Sequence, residues 1–396
     1  MRTLETDEIL GDPAVFFGRY FNREPFLRRS ALRADPAQIL SVADLDAVLN
    51  CEAIRPPYLD VAKDGRQVPP AAYTEPVVVQ GTYVTDRVVP DRIAGLFRGG
   101  ATLTFNSLNH HRANLRALAA SMTELFAAQA EVIGFLTPAT RRGLAPHYDP
   151  VDVFVVQLAG TKTWKVWPVP ETRRGDDRGN LNEAELGEPA ITATLEPGDV
   201  LYMPYNCAHV ATAGDRVSLH ISVTVQPRRW SGLLEEVVAR LVRDDPRYRG
   251  NPWLRDGTTA AGLREVLTTL GRQLSTVDTE AEVARLVADG IGRAQGVDAF
   301  GALADAAAVD AIEPDSVLVR NGEVRVDVVG RADGKARAAI DGALYTLPDA
   351  VIEALSALPD GGTCRAGTFL PGSSRDLSTR TARTLARIGV VRPVSR

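Results

Sequence analysis

The chain has 396 residues, 45% of them hydrophobic and 24% charged, with a formal net charge of −5. That length allows two or three domains, and so modest a negative charge gives no general attraction to nucleic acid. Cys51, Cys207 and Cys364 are widely spaced and form no CxxC pattern, so they suggest neither a disulfide framework nor a thiolate zinc site, and a reducing cytoplasm fits best. The opening MRTLETDEILGDP carries acidic residues where a secretion signal needs a basic start and an apolar core. No apolar run approaches the roughly 18 residues of a membrane span, so neither export nor membrane insertion is expected.

Short helical patterns come first. Pro13 to Tyr20 carries aromatic residues at helical spacing, and Ser41 is placed to cap a helix that begins at Val42. A short alternating strand follows at Ala101 to Asn106, then a helix from His111 to Ala130 on which Leu115, Leu118, Met122 and Leu125 recur. Beyond it the pattern turns to strands: Val132 to Leu136, Val151 to Leu158, Thr163 to Pro168, Ile191 to Leu195, Val200 to Met203 and Val217 to Val225. Many short β-branched runs punctuated by Gly, Pro and Asp point to a sandwich or barrel of the jelly-roll kind. After Pro227 the period returns to helical, over Leu233 to Val242, Ala261 to Leu274 and Thr279 to Ala294. The last stretch reads as two strands turning at Asn321-Gly322, then helices over Pro348 to Leu358 and Ser378 to Ile388, an order that suggests a winged-helix module.

Three of only five histidines, His147, His209 and His220, fall inside the strand-rich region. His147 and Asp149 form an HxD pair, and residues i and i+2 of a strand project from one face, so an imidazole and a carboxylate converge. His209 follows an apolar strand opened by Pro197-Gly198, about sixty residues on, where a facing strand can return to the same mouth. Two histidines and one carboxylate leave open positions on the metal, which suits Fe(II) with a chelating cosubstrate and dioxygen rather than a closed structural zinc site. His220 shares a strand face with Ser218 and Ser222.

The runs GLAPHYD (143–149), VFVVQLAGTKTWKV (153–166), PGDVLYMPYNCAH (197–209) and SLHISV (218–223) resemble the cupin-type JmjC oxygenases that include the ribosomal oxygenases. The resemblance implies an α+β chain: a double-stranded β-helix, or jelly-roll, core with N-terminal helices over residues 1–228, a helical dimerisation region over 229–312 and a winged-helix-like domain over 313–396. It implies Fe(II), 2-oxoglutarate and dioxygen as cofactor and cosubstrates, and hydroxylation of a side chain in a protein or peptide, in known cases an arginine or histidine of a ribosomal protein. His147, Asp149 and His209 would form the catalytic metal centre, and Lys162 would meet the distal carboxylate of 2-oxoglutarate. A buried carboxylate needs such a cation, although Lys165 competes for the part. The same resemblance places His220, Ser222, Phe135 and Thr137 around the cosubstrate. The chain also departs from the family, with Ile133 and Phe135 where an Asn and a Tyr are common; Thr137 or Gln157 is placed to compensate.

Other features carry less. His110 and His111 read as a loop at a helix start, and Trp164 and Trp167 as core residues facing opposite sides of a strand. Arg141 and Arg142, just before the HxD pair, either meet an acidic substrate or stay solvated. Residues 316–396 hold twelve Lys/Arg against eight Asp/Glu, yet Leu385 and Ile388 give the last helix a packing face, and the family resemblance implies a structural or protein-docking role there rather than nucleic-acid binding. The competing functions are a tailoring hydroxylase of a small metabolite or ribosomally made peptide, and a non-catalytic cupin that binds or regulates. Specificity is expected to lie in the loop between Pro170 and Glu188, whose polar stretch Gly175 to Asn182 reads as a lid or rim.

Overall fold

The computed structural model describes residues 2–172, 175, 177–255, 257–295, 302–322, 324, 326–340, 343–359 and 361–394. They group into two units, Met1–Ala294 and Gln295–Arg396. Among the described residues no helix is long and apolar enough to cross a membrane.

In the first unit the strands are β1 (Phe26–Arg28), β2 (Leu59–Lys63), β3 (Arg66–Gln67), β4 (Thr74–Val79), β5 (Thr82–Val88), β6 (Thr102–Phe105), β7 (Ala130–Thr137) and β8 (His147–Tyr148). They continue as β9 (Asp152–Ala159), β10 (Lys162–Val166), β11 (Gly179–Asn180), β12 (Ile191–Leu195), β13 (Val200–Met203), β14 (His209–Ala213) and β15 (Ser218–Val225). An eight-stranded sheet runs in the order β1-β13-β9-β15-β7-β6-β2-β3, and a five-stranded sheet in the order β11-β8-β14-β10-β12. The expected strands all form. β2 to β5 lie in a stretch where no expectation was drawn, and β4 and β5 make a separate hairpin.

The two-residue period of a strand divides the core. On β9, Val153 and Val155 face the second sheet and pack with Trp164, Val166, Leu195, Leu201, Met203 and Cys207. Phe154 and Val156 turn the other way, into a second cluster with Phe16, Leu115, Leu118, Met122, Tyr202 and Ile221. A strand covered on both faces is apolar throughout, which is why β9 reads as a continuous hydrophobic run. The N-terminal segment covers the outer face: Phe16 meets Phe26, Phe126, Phe154 and Tyr202 with ring centroids 5.0–6.1 Å apart. Ser41 caps its helix as expected, accepting from the Asp44 amide while the Asp44 carboxylate bonds back to the Ser41 amide.

Three helices follow the sheets, at Trp230–Asp244, Thr259–Leu274 and Thr279–Gln295. In the second unit, β16 (Val317–Arg320), β20 (Thr363–Arg365) and β21 (Val391–Pro393) form one sheet, and β17 (Val326–Ala332), β18 (Lys335–Ile340) and β19 (Ala343–Pro348) another. Helices Asp349–Ser356 and Arg375–Arg387 supply its core with Val351, Ile352, Leu355, Ala382 and Leu385. The hairpin expected at Asn321-Gly322 does not form, because β16 and β17 belong to different sheets. The buried Arg320 explains the diversion: its guanidinium donates to the carbonyls of Asn321, Val324 and Val390, tying the chain after β16 to the C-terminal strand.

Candidate metal centre and cosubstrate pocket

His147 and His209 are direct partners across the antiparallel pair β8 and β14, and Asp149 follows one residue after β8. The pairing brings the imidazoles to a centroid separation of 4.2 Å. One donor atom from each of His147, Asp149 and His209 lies within 4.8 Å of the others. Asp149 Oδ2 is 3.5 Å from Nε2 of both histidines. Each ring is oriented from behind by a backbone carbonyl: His147 Nδ1 donates to Ala145 O at 2.7 Å, and His209 Nδ1 to Cys207 O at 3.0 Å. Nδ1 therefore carries the proton and the Nε2 lone pairs face the shared point.

The charges suit a cation. Burial pushes the His209 pKa down, aided by His147, to about 4, so its ring is neutral and able to ligate at neutral pH. Burial raises the Asp149 pKa, but the His147 contact and the charge the two imidazoles carry when protonated, together with Arg178, outweigh it and hold the carboxylate well below its usual range. Two imidazoles and one carboxylate on one side of a point form a donor set that fits a divalent transition metal such as iron.

The triad lies on the wall of a cavity of about 310 Å³ that also takes in Lys162, Trp164, Phe135, His220 and Ser222. Lys162 opens β10 directly after the turn at Gly160, whose φ of +59° and closeness to the Val217 carbonyl leave no room for a Cβ. Lys162 is 3% exposed and donates to Thr137 Oγ1 at 3.1 Å. Burial without a carboxylate partner draws its pKa down to about 7. Lys165, three residues on, points outward to Glu183. His220 stacks on Phe135 at 4.8 Å and 5°, meets the Trp164 ring edge-on, and has no hydrogen-bond partner among the described residues on its buried Nδ1. Burial, and then Lys162, push its pKa well below the usual histidine value. Thr137 is fully buried behind Lys162, and the Gln157 amide donates to Ser218 and to turn carbonyls.

Residues 107–233 match the family model for the JmjC domain. That stretch is similar to a JmjC domain. Human ribosomal oxygenase 1 is 32% identical over 239 residues, 58% of this chain and 35% of that protein. A Drosophila persimilis protein, bifunctional lysine-specific demethylase and histidyl-hydroxylase NO66, is 31% identical over 160 residues, 40% of this chain and 23% of that one. The matches thus span only about a quarter to a third of those relatives' lengths. Among solved structures, Escherichia coli YcfD, a ribosomal oxygenase in complex with cobalt and 2-oxoglutarate, shares the fold at a TM-score of 0.53 and 17% identity, over 97% of this chain and 98% of that one.

Several residues of the cavity were not singled out in the sequence. Arg178 reaches Asp149 Oδ1 with its Nε at 3.5 Å. Asn206 donates its amide N–H to the Asp149 carbonyl at 2.8 Å and bonds Gly175 through both ends of its side chain. Asp60 and Glu131 line the cavity and, among the described residues, accept from neutral side chains, Gln67 and Asn106 for the first, Gln129 and Ser107 for the second. Of the stretch read as a lid or rim, residue 176 lies outside the described residues. Gly175 is held by Asn206, and Leu181 donates to Pro146 O at 2.8 Å. His110 and His111 stand apart from the centre, bonded to Tyr58 and Glu52. Trp167 turns away from the cavity, its indole donating to Gly187 O, whereas Trp164 serves both core and cavity wall.

Proposed function

We propose that this chain is an Fe(II)- and 2-oxoglutarate-dependent dioxygenase that hydroxylates an amino-acid side chain in a protein or peptide. The observation that carries the reading is the convergence of three metal-type donors at the wall of a cavity that also holds a buried, carboxylate-free lysine. Iron bound there would supply the oxidising chemistry that side chains lack. His147, Asp149 and His209 would hold it from one side, leaving the cavity side open for 2-oxoglutarate and dioxygen. Lys162 would pair with the distal carboxylate of 2-oxoglutarate, recovering the charged partner that its burial denies it. His220 offers the free Nδ1 and Ser222 a hydroxyl within the same cavity. Phe135 and Trp164 exclude water from one side of the pocket.

The relatives' names, ribosomal oxygenase and histidyl-hydroxylase, support a protein side chain as substrate, with a ribosomal protein the first to test. We further read residues 229–312 as a helical region through which two copies associate, since Leu234, Leu263, Leu267 and Val283 leave apolar surface exposed on its helices. Residues 313–396 form the winged-helix-like part, and the pairing of Arg375 with Asp315 and Arg387 with Asp310 leaves less free positive charge for nucleic acid. The test is aerobic incubation of iron-loaded protein with 2-oxoglutarate and ribosomal-protein peptides. Succinate release together with a peptide gaining one oxygen atom supports the reading; neither product, with metal bound, refutes it.

A further inference from the structure

The two oxygens of Asp149 face different partners. Oδ2 is equidistant, at 3.5 Å, from Nε2 of His147 and of His209. Oδ1 lies 3.5 Å from Nε of Arg178, a side chain that lines the same cavity. Arg178 comes to that place by register. β11 pairs with β8, Gly179 opposite Tyr148, so in an antiparallel ladder the residue before Gly179 falls beside the residue after Tyr148, which is Asp149. Gly179 is the residue that permits the pairing, since the Tyr148 ring occupies the space a Cβ would take. The strap around Arg178 is fastened on both sides, by Gly175 to Asn206 and by the Leu181 amide to Pro146 O. Asn206 in turn bonds the Asp149 backbone carbonyl, so strap and carboxylate share one support.

A carboxylate can bind a metal through one oxygen or two, and the choice decides how many positions stay open. With Oδ2 alone joining the two histidines, three positions of an octahedral ion are free, enough for a chelating 2-oxo acid and dioxygen. With both oxygens bound, one of the three is lost.

We propose that Arg178 is a positioning residue that holds Oδ1 of Asp149 away from the metal and so keeps the third coordination position open for the cosubstrate. The inference rests on the metal and cosubstrate reading given above. The guanidinium attracts Oδ1 by charge, and it also repels the incoming cation. Its loss therefore acts on metal affinity in two opposing directions, and on cosubstrate affinity in one.

Co(II) serves as the probe because its visible absorption follows its coordination, and cosubstrate binding can be read without turnover. Wild type, Arg178→Gln and Arg178→Lys are titrated with Co(II) by visible absorption, and the Co(II)-loaded forms with 2-oxoglutarate by calorimetry. The expected result for Arg178→Gln is a changed Co(II) spectrum, Co(II) affinity within about threefold of wild type, and 2-oxoglutarate bound about tenfold more weakly, in the range typical of partners behind metal ligands. Arg178→Lys, which keeps a cation near Oδ1, should recover most of that loss. Unchanged 2-oxoglutarate affinity in Arg178→Gln overturns the proposal, as does a parallel loss of Co(II) and 2-oxoglutarate affinity, or a lysine variant no better than the glutamine one. If wild type takes up Co(II) and 2-oxoglutarate normally while Arg178→Gln shows none of these changes, the Arg178 role alone fails; if wild type binds no Co(II), the oxygenase reading falls and the positioning role with it.

Discussion

Lys162→Met should make the protein more stable and leave it unable to hold its cosubstrate. Lys162 is 3% exposed, its hydrogen bond is to the neutral Thr137 hydroxyl, and burial draws its pKa from 10.5 to about 7. Below pH 7 the lysine is protonated in both folded and unfolded chains, and the folded state carries the whole cost of the buried charge, about 5 kcal/mol at 1.4 kcal/mol per tenfold. Between pH 7 and 10.5 the folded lysine is neutral while the unfolded one is charged, so the cost shrinks as pH rises and vanishes above 10.5. The methionine removes that cost and gives up one hydrogen bond of about 1 kcal/mol. The expected gain is about 4 kcal/mol at pH 6 and about 1 kcal/mol at pH 9, or about 8 °C and about 2 °C in Tm for a unit of this size. Thermal unfolding at the two pH values measures it, and repeating the scans with Mn(II) and 2-oxoglutarate should raise the Tm of wild type far more than that of the variant. A methionine variant no more stable than wild type at pH 6, or equally stabilised at both pH values, would refute an uncompensated buried ammonium at this position.

His147→Ala and Asp149→Ala should each abolish succinate formation and weaken Co(II) binding by at least about a hundredfold while leaving far-UV circular dichroism unchanged; turnover retained by either variant would dissolve the assigned centre. Gly160→Val forces a β-branched residue to φ +59° and against the Val217 carbonyl, and should cost about 3 kcal/mol in a denaturant melt as well as weakening 2-oxoglutarate binding through Lys162. An unperturbed midpoint would mean the turn can re-form without glycine. Phe135→Tyr adds a hydroxyl to a ring that lines the cavity and should tighten 2-oxoglutarate binding about fivefold, the worth of one hydrogen bond. Weaker binding measured by calorimetry would show that the hydroxyl intrudes on the space of the cosubstrate.

What could be read in the sequence was whatever depends on a local period. The alternation of β7 and β15 puts Ile133, Phe135, His220, Ser222 and Thr224 on the cavity side and leaves Val132, Leu219, Ile221 and Val223 to the outer core, as a two-residue repeat requires. The HxD pair was legible from its i, i+2 spacing, and His209 because it follows a strand, β13, that is opened by a recognisable Pro-Gly turn. Lys162 stood out over Lys165 only through the family resemblance, since on sequence grounds both are strand lysines; the burial pattern of β10, inward at Lys162, Trp164 and Val166, separates them. The Asn321-Gly322 turn misled because a strong local hairpin signal yielded to a tertiary one, a buried arginine that ties the chain after β16 to the C-terminal strand 70 residues away.

Arg178, Asn206, Asp60 and Glu131 were invisible for a different reason. β11 and β8 have two residues each, too few to show a period, and the partner of a two-residue strand is fixed by the surrounding roll and not by its own composition. Asn206 lies in an ordinary polar turn and becomes a support only once Gly175 and Asp149 arrive beside it. Asp60 and Glu131 stand on strands 71 residues apart, and their common exposure to one cavity follows from β6 lying between β2 and β7. Two ligands of this centre, His147 and Asp149, are set by adjacency along the chain, so they leave a trace in it. The groups that orient those ligands and select what enters are set by sheet order, a property of the folded molecule, and for that reason the tests of Arg178 and Lys162 probe more of the mechanism than deletion of the triad can.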